Sequence, residues 1–240
     1  MIHILAIGNS FSTDATRYLH DLAKAAGQDV TVVDLYIPGC PLSRHYRNML
    51  SDERAYELEI NGQRSGFHVS LKEALLNRDW DYVTVQQASP RSTAYETYQP
   101  YLNELAAYVR RLAPKAKVLV HETWAYEQDS ERLNVRMGYT DYHDMYNDLH
   151  GAYAQAAQDI HADGLIPCGT VMLRLMDQGL TVHRDTFHAS FGLGRYALAL
   201  TWLRTITGVD VSDLTLPLFD EPVDEEKLAT ARKAVMHVLP

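Results

Sequence analysis

The stretch Ile4-Leu5-Ala6-Ile7-Gly8-Asn9-Ser10-Phe11-Ser12 decides the fold. Its unbroken apolar run, with no polar alternation, suits a strand covered on both faces, as strands of parallel sheets are. Gly8 breaks the run, and Ser10, Ser12, Thr13 and Asp14 are all competent to cap a helix. A strand that passes directly into a helix opens a parallel α/β unit, and ligands of such sheets bind beyond the carboxyl ends of the strands. Ser10 therefore stands where chemistry is done, although capping alone also accounts for a hydroxyl cluster at this place.

The rest of the chain repeats the alternation. Segments 2–7, 30–37, 82–86, 117–121 and 165–168 read as five strands, separated by longer stretches with helical periodicity. Ala15, Leu19, Leu22 and Ala26 predict one helix from an Asp14 cap to Gly27. Tyr98, Leu102, Leu105, Val109 and Leu112 form a second stripe, which Pro114 stops. Further stripes are Tyr142, Met145, Leu149, Tyr153 and Ile160, then Leu193, Tyr196, Leu200 and Leu203 before Gly208, and a last helix over 225–238. Asn61-Gly62, between β-type runs at 56–60 and 67–69, predicts a hairpin near the upper edge. The expected architecture is a three-layer α/β/α, flavodoxin-like fold around a central five-stranded parallel sheet. One domain spans 1–240, with its core in 1–208 and an extension with a final helix in 209–240.

Composition narrows the function classes. With 22 Lys and Arg against 31 Asp and Glu, a net charge of -9 and no basic cluster longer than a pair, the chain lacks the concentrated positive charge of a nucleic-acid surface. No apolar stretch approaches the roughly 20 residues that span a bilayer. The first strand starts at once with no signal-peptide pattern, so a cytoplasmic location is expected. Cys40 and Cys168 form neither a disulfide framework nor a CxxC pair.

A serine hydroxyl becomes a nucleophile only when a base takes its proton, and that base needs a third group to fix its tautomer. Of 11 histidines, His188 is singled out by Asp185-Thr186-Phe187-His188, between the last strand and the helix that ends at Gly208. The three-residue spacing brings a carboxylate to Nδ1 and leaves Nε2 for an incoming hydroxyl. A helix cap followed by a first-turn histidine would look the same. The pairing of this motif with Gly8-Asn9-Ser10 at the other end of the chain favours the catalytic reading.

Those two motifs together resemble the SGNH, or GDSL-like, hydrolase superfamily, in which a strand runs into Gly-Asp-Ser or Gly-Asn-Ser and the last block is Asp-x-x-His. Gly39, in Pro38-Gly39-Cys40-Pro41-Leu42, is similar in place to the glycine that the superfamily sets after its second strand. The asparagine expected after the third strand is replaced by Gln86-Gln87. That replacement, with the longer first motif and Glu122-Thr123-Trp124-Ala125, resembles a bacterial, largely uncharacterised SGNH-like branch. The likeness covers roughly 1–208. It implies Ser10 as nucleophile, His188 as base and Asp185 as its orienting acid. An oxyanion hole would be formed by the amides of Ser10 and Gly39 and the side chain of Gln86 or Gln87, which strand alternation sends to opposite faces. It further implies a small-molecule ester substrate, with acetyl on a sugar as a candidate.

Glu122, Trp124 and Tyr126 follow the fourth strand, so the upper rim is their expected place, where Glu122 and Trp124 would contact substrate. An aromatic that only covers the core would sit there equally well. No cofactor or metal is expected. Two other readings stand beside the esterase: a metal hydrolase using His183, Asp185 and His188, without HExxH spacing, and a non-catalytic carbohydrate-binding protein on the same fold. A nucleotide site is disfavoured, since neither GxGxxG nor GxxxxGK[ST] follows the first strand.

Overall fold

The structure, a computed structural model, describes residues 1–240. Its sheet has seven strands in the order β4-β3-β2-β1-β5-β6-β7. These are β1 (Ile2–Gly8), β2 (Val30–Tyr36), β3 (Tyr56–Ile60), β4 (Gln63–Val69), β5 (Tyr82–Val85), β6 (Lys117–His121) and β7 (Gly164–Ile166). The strands β2, β1, β5, β6 and β7 are parallel. The five-strand expectation is thus corrected at one edge, where β3 pairs antiparallel with β2 and β4 pairs antiparallel with β3. Asn61 holds this hairpin in place, since its side-chain oxygen accepts from the Val32 amide at 3.0 Å. Ile60 and Asn61 lie beside Val33 and Val32, near the amino end of β2. The turn therefore points away from the carboxyl ends of the strands, and the hairpin extends the sheet.

Ile4 to Ile7 are all buried, as a strand with helices on both faces requires. One layer packs α1 (Ser10–Thr16), α2 (Leu19–Ala25), α7 (Cys168–Asp177), α8 (Leu193–Thr207) and α9 (Glu225–Val238) together. On the other side, α3 (Leu42–Ser51), α4 (Leu71–Leu76) and α5 (Tyr101–Leu112) pack on one another, while α6 (Tyr142–Asp159) lies along β6 and β7. No helix is long and apolar enough to cross a membrane.

Two local readings are corrected. The single helix expected over 14–27 is two, broken at Arg17-Tyr18, and the residue that caps α1 is Asn9, whose side chain accepts from the Phe11 amide at 3.0 Å. Asp14 is a fully buried residue inside α1. The strand expected at 165–168 ends at Ile166, and Pro167 introduces α7, in which Cys168, Val171, Met172 and Leu175 fall at helical spacing and are buried.

From β1 the chain moves outward to β2 on one side and later to β5 on the other. The carboxyl end of β1 is therefore a topological switch point, the place where open α/β sheets form their crevice. Ser10 follows β1, Gly39 follows β2 and Gln86 follows β5.

Candidate active site

Ser10, at the first position of α1, meets the loop that precedes α8. Its Oγ lies 2.8 Å from His188 Nε2, and His188 Nδ1 lies 2.8 Å from Asp185 Oδ2. An ionised carboxylate only accepts, so Nδ1 carries the proton, Nε2 keeps its lone pair, and the Ser10 hydroxyl donates to it. Asp185 Oδ1 also accepts from the His188 amide at 2.9 Å, which fixes the carboxylate in its own turn. Partial burial pushes the Asp185 carboxyl up, but the hydrogen bonds from His188 and the charges of His188 and Arg184 outweigh it and hold the group below its usual range. Phe11 and Phe187 flank the imidazole, with ring centroids 5.7 and 3.8 Å away.

The three side chains sit beside a small cleft of about 200 Å³, lined by Asn9, Ser10, Gly39, Ser89, Arg91 and Phe187 among others. Gly39 has φ +57°, a backbone that other residues adopt only with strain. The amides of Ser10 and Gly39 donate to no group of the protein. Asn9 joins the two loops, because its Nδ2 donates to Cys40 O at 3.1 Å while its Oδ1 accepts from the Phe11 amide.

Gln86 serves Asn9. Its Nε2 donates to Asn9 Oδ1 at 2.9 Å, and its Oε1 accepts from His121 Nδ1 at 2.7 Å. The side chain is buried beneath the cleft, and it fits there because Gly8 has no Cβ to press on the Gln86 amide and the Ser12 side chain. Gln87 is not brought to the cleft. Its Nε2 donates to Thr97 O and Oγ1 at 3.0 and 3.1 Å, and its Oε1 accepts from the amides of Leu42 and Ala88. With every polar atom engaged in joining loops, Gln87 has none for an oxyanion.

The expected rim residues are also placed elsewhere. Trp124 is 0% exposed, stacked on Phe11 with centroids 4.2 Å apart, and its Nε1 donates to Phe187 O at 2.8 Å. It offers no face to a ligand and instead supports the loop that carries His188. Glu122 is equally buried; it accepts from His150 Nδ1 at 2.6 Å and from the Thr170 amide at 3.0 Å. Tyr126 is buried against Ser89, 2.8 Å from Oγ to hydroxyl. Aromatic and acidic residues after a strand can turn into the core as readily as out of it, and the residue types alone do not distinguish the two.

The metal-ligand reading fails on donor geometry. His183 Nε2 is 3.0 Å from Ala125 O, both ring nitrogens of His188 are engaged with Ser10 and Asp185, and no three such side chains converge anywhere in the chain.

Sequence reasoning passed over Asn9 as a structural hub and Asp14 as a tie. Asp14 accepts from Arg184 and Arg195 and from the Ala189 amide. Its position four residues after Ser10, on the same face of a helix that packs against the sheet, was the available signal.

A three-layer sheet with a serine after β1 and Asp-x-x-His before α8 defines the SGNH hydrolase fold, and comparison with solved structures agrees. A candidate SGNH hydrolase from Slackia heliotrinireducens superposes with TM-score 0.61 at 24% identity, over 85% of this chain and 98% of its own. An acetyl xylan esterase, AlAXEase, gives 0.56 at 12% identity, over 85% and 100%. The chain belongs to the family Domain of unknown function (DUF4886), whose sequence profile matches residues 3–237 and so covers all but the last residue of α9. A DUF4886 protein from Bacteroides uniformis has TM-score 0.92 at 31% identity, over 99% of this chain and 94% of its own. No curated protein sequence matches.

Proposed function

We propose that the chain is a serine esterase that hydrolyses small acyl esters through Ser10, His188 and Asp185. The observation that carries this reading is the pair of 2.8 Å contacts from Ser10 Oγ through the imidazole to Asp185, beside a cleft lined by Ser10 and Gly39, whose amides have no partner within the protein. Ser10 Oγ attacks the ester carbonyl carbon as its proton passes to His188 Nε2. The carbonyl oxygen, now negative, is held by the amides of Ser10 and Gly39, each such donor lowering the barrier by about 3 kcal/mol. His188 then returns the proton to the departing alcohol. Water attacks the acyl-enzyme with His188 again as base, and the acid and free Ser10 are regenerated.

Asn9 keeps the two amides in register by tying the turn of Ser10 to the carbonyl beside Gly39, and Gln86 holds Asn9 in turn. The small cleft favours a short acyl group, and the likeness to an acetyl xylan esterase makes acetyl on a sugar the first substrate to try. The test is labelling with a fluorophosphonate in wild type and Ser10→Ala, followed by a nitrophenyl ester series of increasing acyl length. Labelling of wild type alone, with acetyl turned over fastest, is the expected result. Equal labelling of both proteins, or of neither, removes Ser10 as the nucleophile.

A further inference from the structure

In a chain of net charge -9, the cleft beside Ser10 is bordered by arginines that no carboxylate neutralises. Arg91 lines it directly, and its only hydrogen bond from the side chain is a long one, 3.4 Å from Nη1 to Ser43 Oγ. The backbone of Arg91 is fixed: its amide donates to Ala88 O at 2.8 Å and its carbonyl accepts from Thr97 Oγ1 at 3.0 Å. The guanidinium of Arg132 lies 3.7 Å over the ring of Phe187, one of the residues that line the cleft. Arg132 makes neither an ion pair nor a side-chain hydrogen bond within the protein. Of the acidic residues near them in the chain, Asp185 pairs with His188 and Glu131 with Arg136 at 3.3 Å.

A guanidinium resting on an aromatic ring gives up little freedom on binding, and its planar set of donors matches a carboxylate, sulfate or phosphate. Arg91 at the cleft and Arg132 on a ring that lines it thus keep their donors unspent. The field is reinforced by Arg44 and Arg47 of α3, exposed, without carboxylate partners and close enough to act on Cys40, the neighbour of Gly39.

We infer that the ester taken by this cleft carries an anionic group, which Arg91 and Arg132 bind while Ser10 attacks the acyl carbon. The inference rests on the esterase reading and narrows its substrate class to acidic esters. Matched acetates of 4-hydroxyphenylacetate and 4-hydroxyphenylacetamide test it, since they differ in charge and hardly at all in the leaving phenol.

The wild-type enzyme is expected to favour the carboxylate by about tenfold in kcat/KM, mainly through KM, and to lose that preference as salt screens it. In Arg91→Gln and Arg132→Gln the ratio between the two esters should fall toward one, with fluorophosphonate labelling of Ser10 reporting that the variants are folded. Equal turnover of the two acetates by wild type, or a ratio unmoved in both variants, overturns the inference and leaves the Ser10 mechanism standing. If neither ester is cleaved and Ser10 is not labelled, the esterase reading fails and this inference fails with it.

Discussion

Arg184 Nη1 lies 2.9 Å from both carboxylate oxygens of Asp14, a residue one helical turn beyond Ser10 with no exposed surface. Asp14 also accepts from Arg195 Nε at 2.9 Å and from the Ala189 amide at 3.2 Å. Arg184 precedes Asp185 and Ala189 follows His188, so one carboxylate holds both flanks of the Asp-x-x-His turn against the helix that carries the nucleophile. Burial pushes the Asp14 carboxyl above its ordinary value, and the charges of Arg195 and Arg184 oppose that rise.

Removing the tie is expected to harm both stability and rate. Asp14→Ala leaves the largely buried guanidinium of Arg184 without a counter-charge, while Arg195 keeps Asp220 at 2.8 Å, a change that costs about 3–5 kcal/mol, read from the urea midpoint. Arg184→Lys keeps the charge and loses the fork, so the fold should survive while the loop loosens. A misplacement of about 1 Å between Ser10 and His188 is enough to lower kcat about a hundredfold. An Arg184→Lys enzyme with wild-type kcat would show that the tie does not set the catalytic geometry.

Much of this site was legible in the sequence because its parts are local. Gly8-Asn9-Ser10 and Asp185 to His188 each form a turn whose geometry is set within a few residues, and a strand buried on both faces announces itself as an apolar run. What escaped was decided by packing between distant segments. Gln86 and Gln87 are adjacent amides with equal claims on paper, and only His121, Asn9 and Thr97, from three other segments, separate their roles. Trp124 was read as a rim residue for the same reason: Phe11, against which it stacks, lies more than a hundred residues earlier. The antiparallel edge escaped differently, since Asn61-Gly62 specifies a hairpin but not the strand beside which it lies.

Asp185→Asn tests the tautomer. An amide can donate to Nδ1, which turns the imidazole proton onto Nε2 and leaves the Ser10 hydroxyl facing a donor in place of a base. A fall in kcat of about 10⁴-fold is expected, with little change in the thermal midpoint because Asp185 is nearly half exposed. A loss of less than tenfold would mean that Asp185 does not hold the tautomer.

The two glutamines should separate by what they damage. Gln86→Ala frees Asn9 and strands His121 Nδ1, so the loops of Ser10 and Gly39 lose their register; kcat should drop about tenfold to a hundredfold. Gln87→Ala removes bonds to Thr97, Leu42 and Ala88, of which only Ala88 lines the cleft, and none of these bonds involves Ser10 or Gly39; it is expected to cost about 1–3 kcal/mol of stability with kcat close to wild type. Comparing the acetyl ester kinetics of the two variants with their urea midpoints distinguishes the roles. The reverse pattern would place Gln87 at the oxyanion.

Acid should weaken the fold through histidines that are buried neutral. Burial lowers His45 and His121 from 6.5 to about 3 and His183 to about 4. In the unfolded chain these groups protonate near 6.5, while the native protein refuses the proton. Their contribution to stability is therefore complete above pH 6.5 and is lost as pH falls toward the folded values, by up to about 1.4 kcal/mol per pH unit for each group. Asp34 acts with the opposite sign, since burial and the neighbouring Glu59 raise its carboxyl well above the ordinary range. Total stability mixes the two effects, and a difference between variants isolates one. His45 stacks on Tyr56 and has no partner for Nε2, so His45→Phe preserves most of the packing and removes the titration. The stability gap between wild type and His45→Phe should move in favour of the variant by about 2 kcal/mol between pH 6.5 and about 5. A gap independent of pH would show that His45 takes up its proton in the folded protein as readily as in the unfolded one.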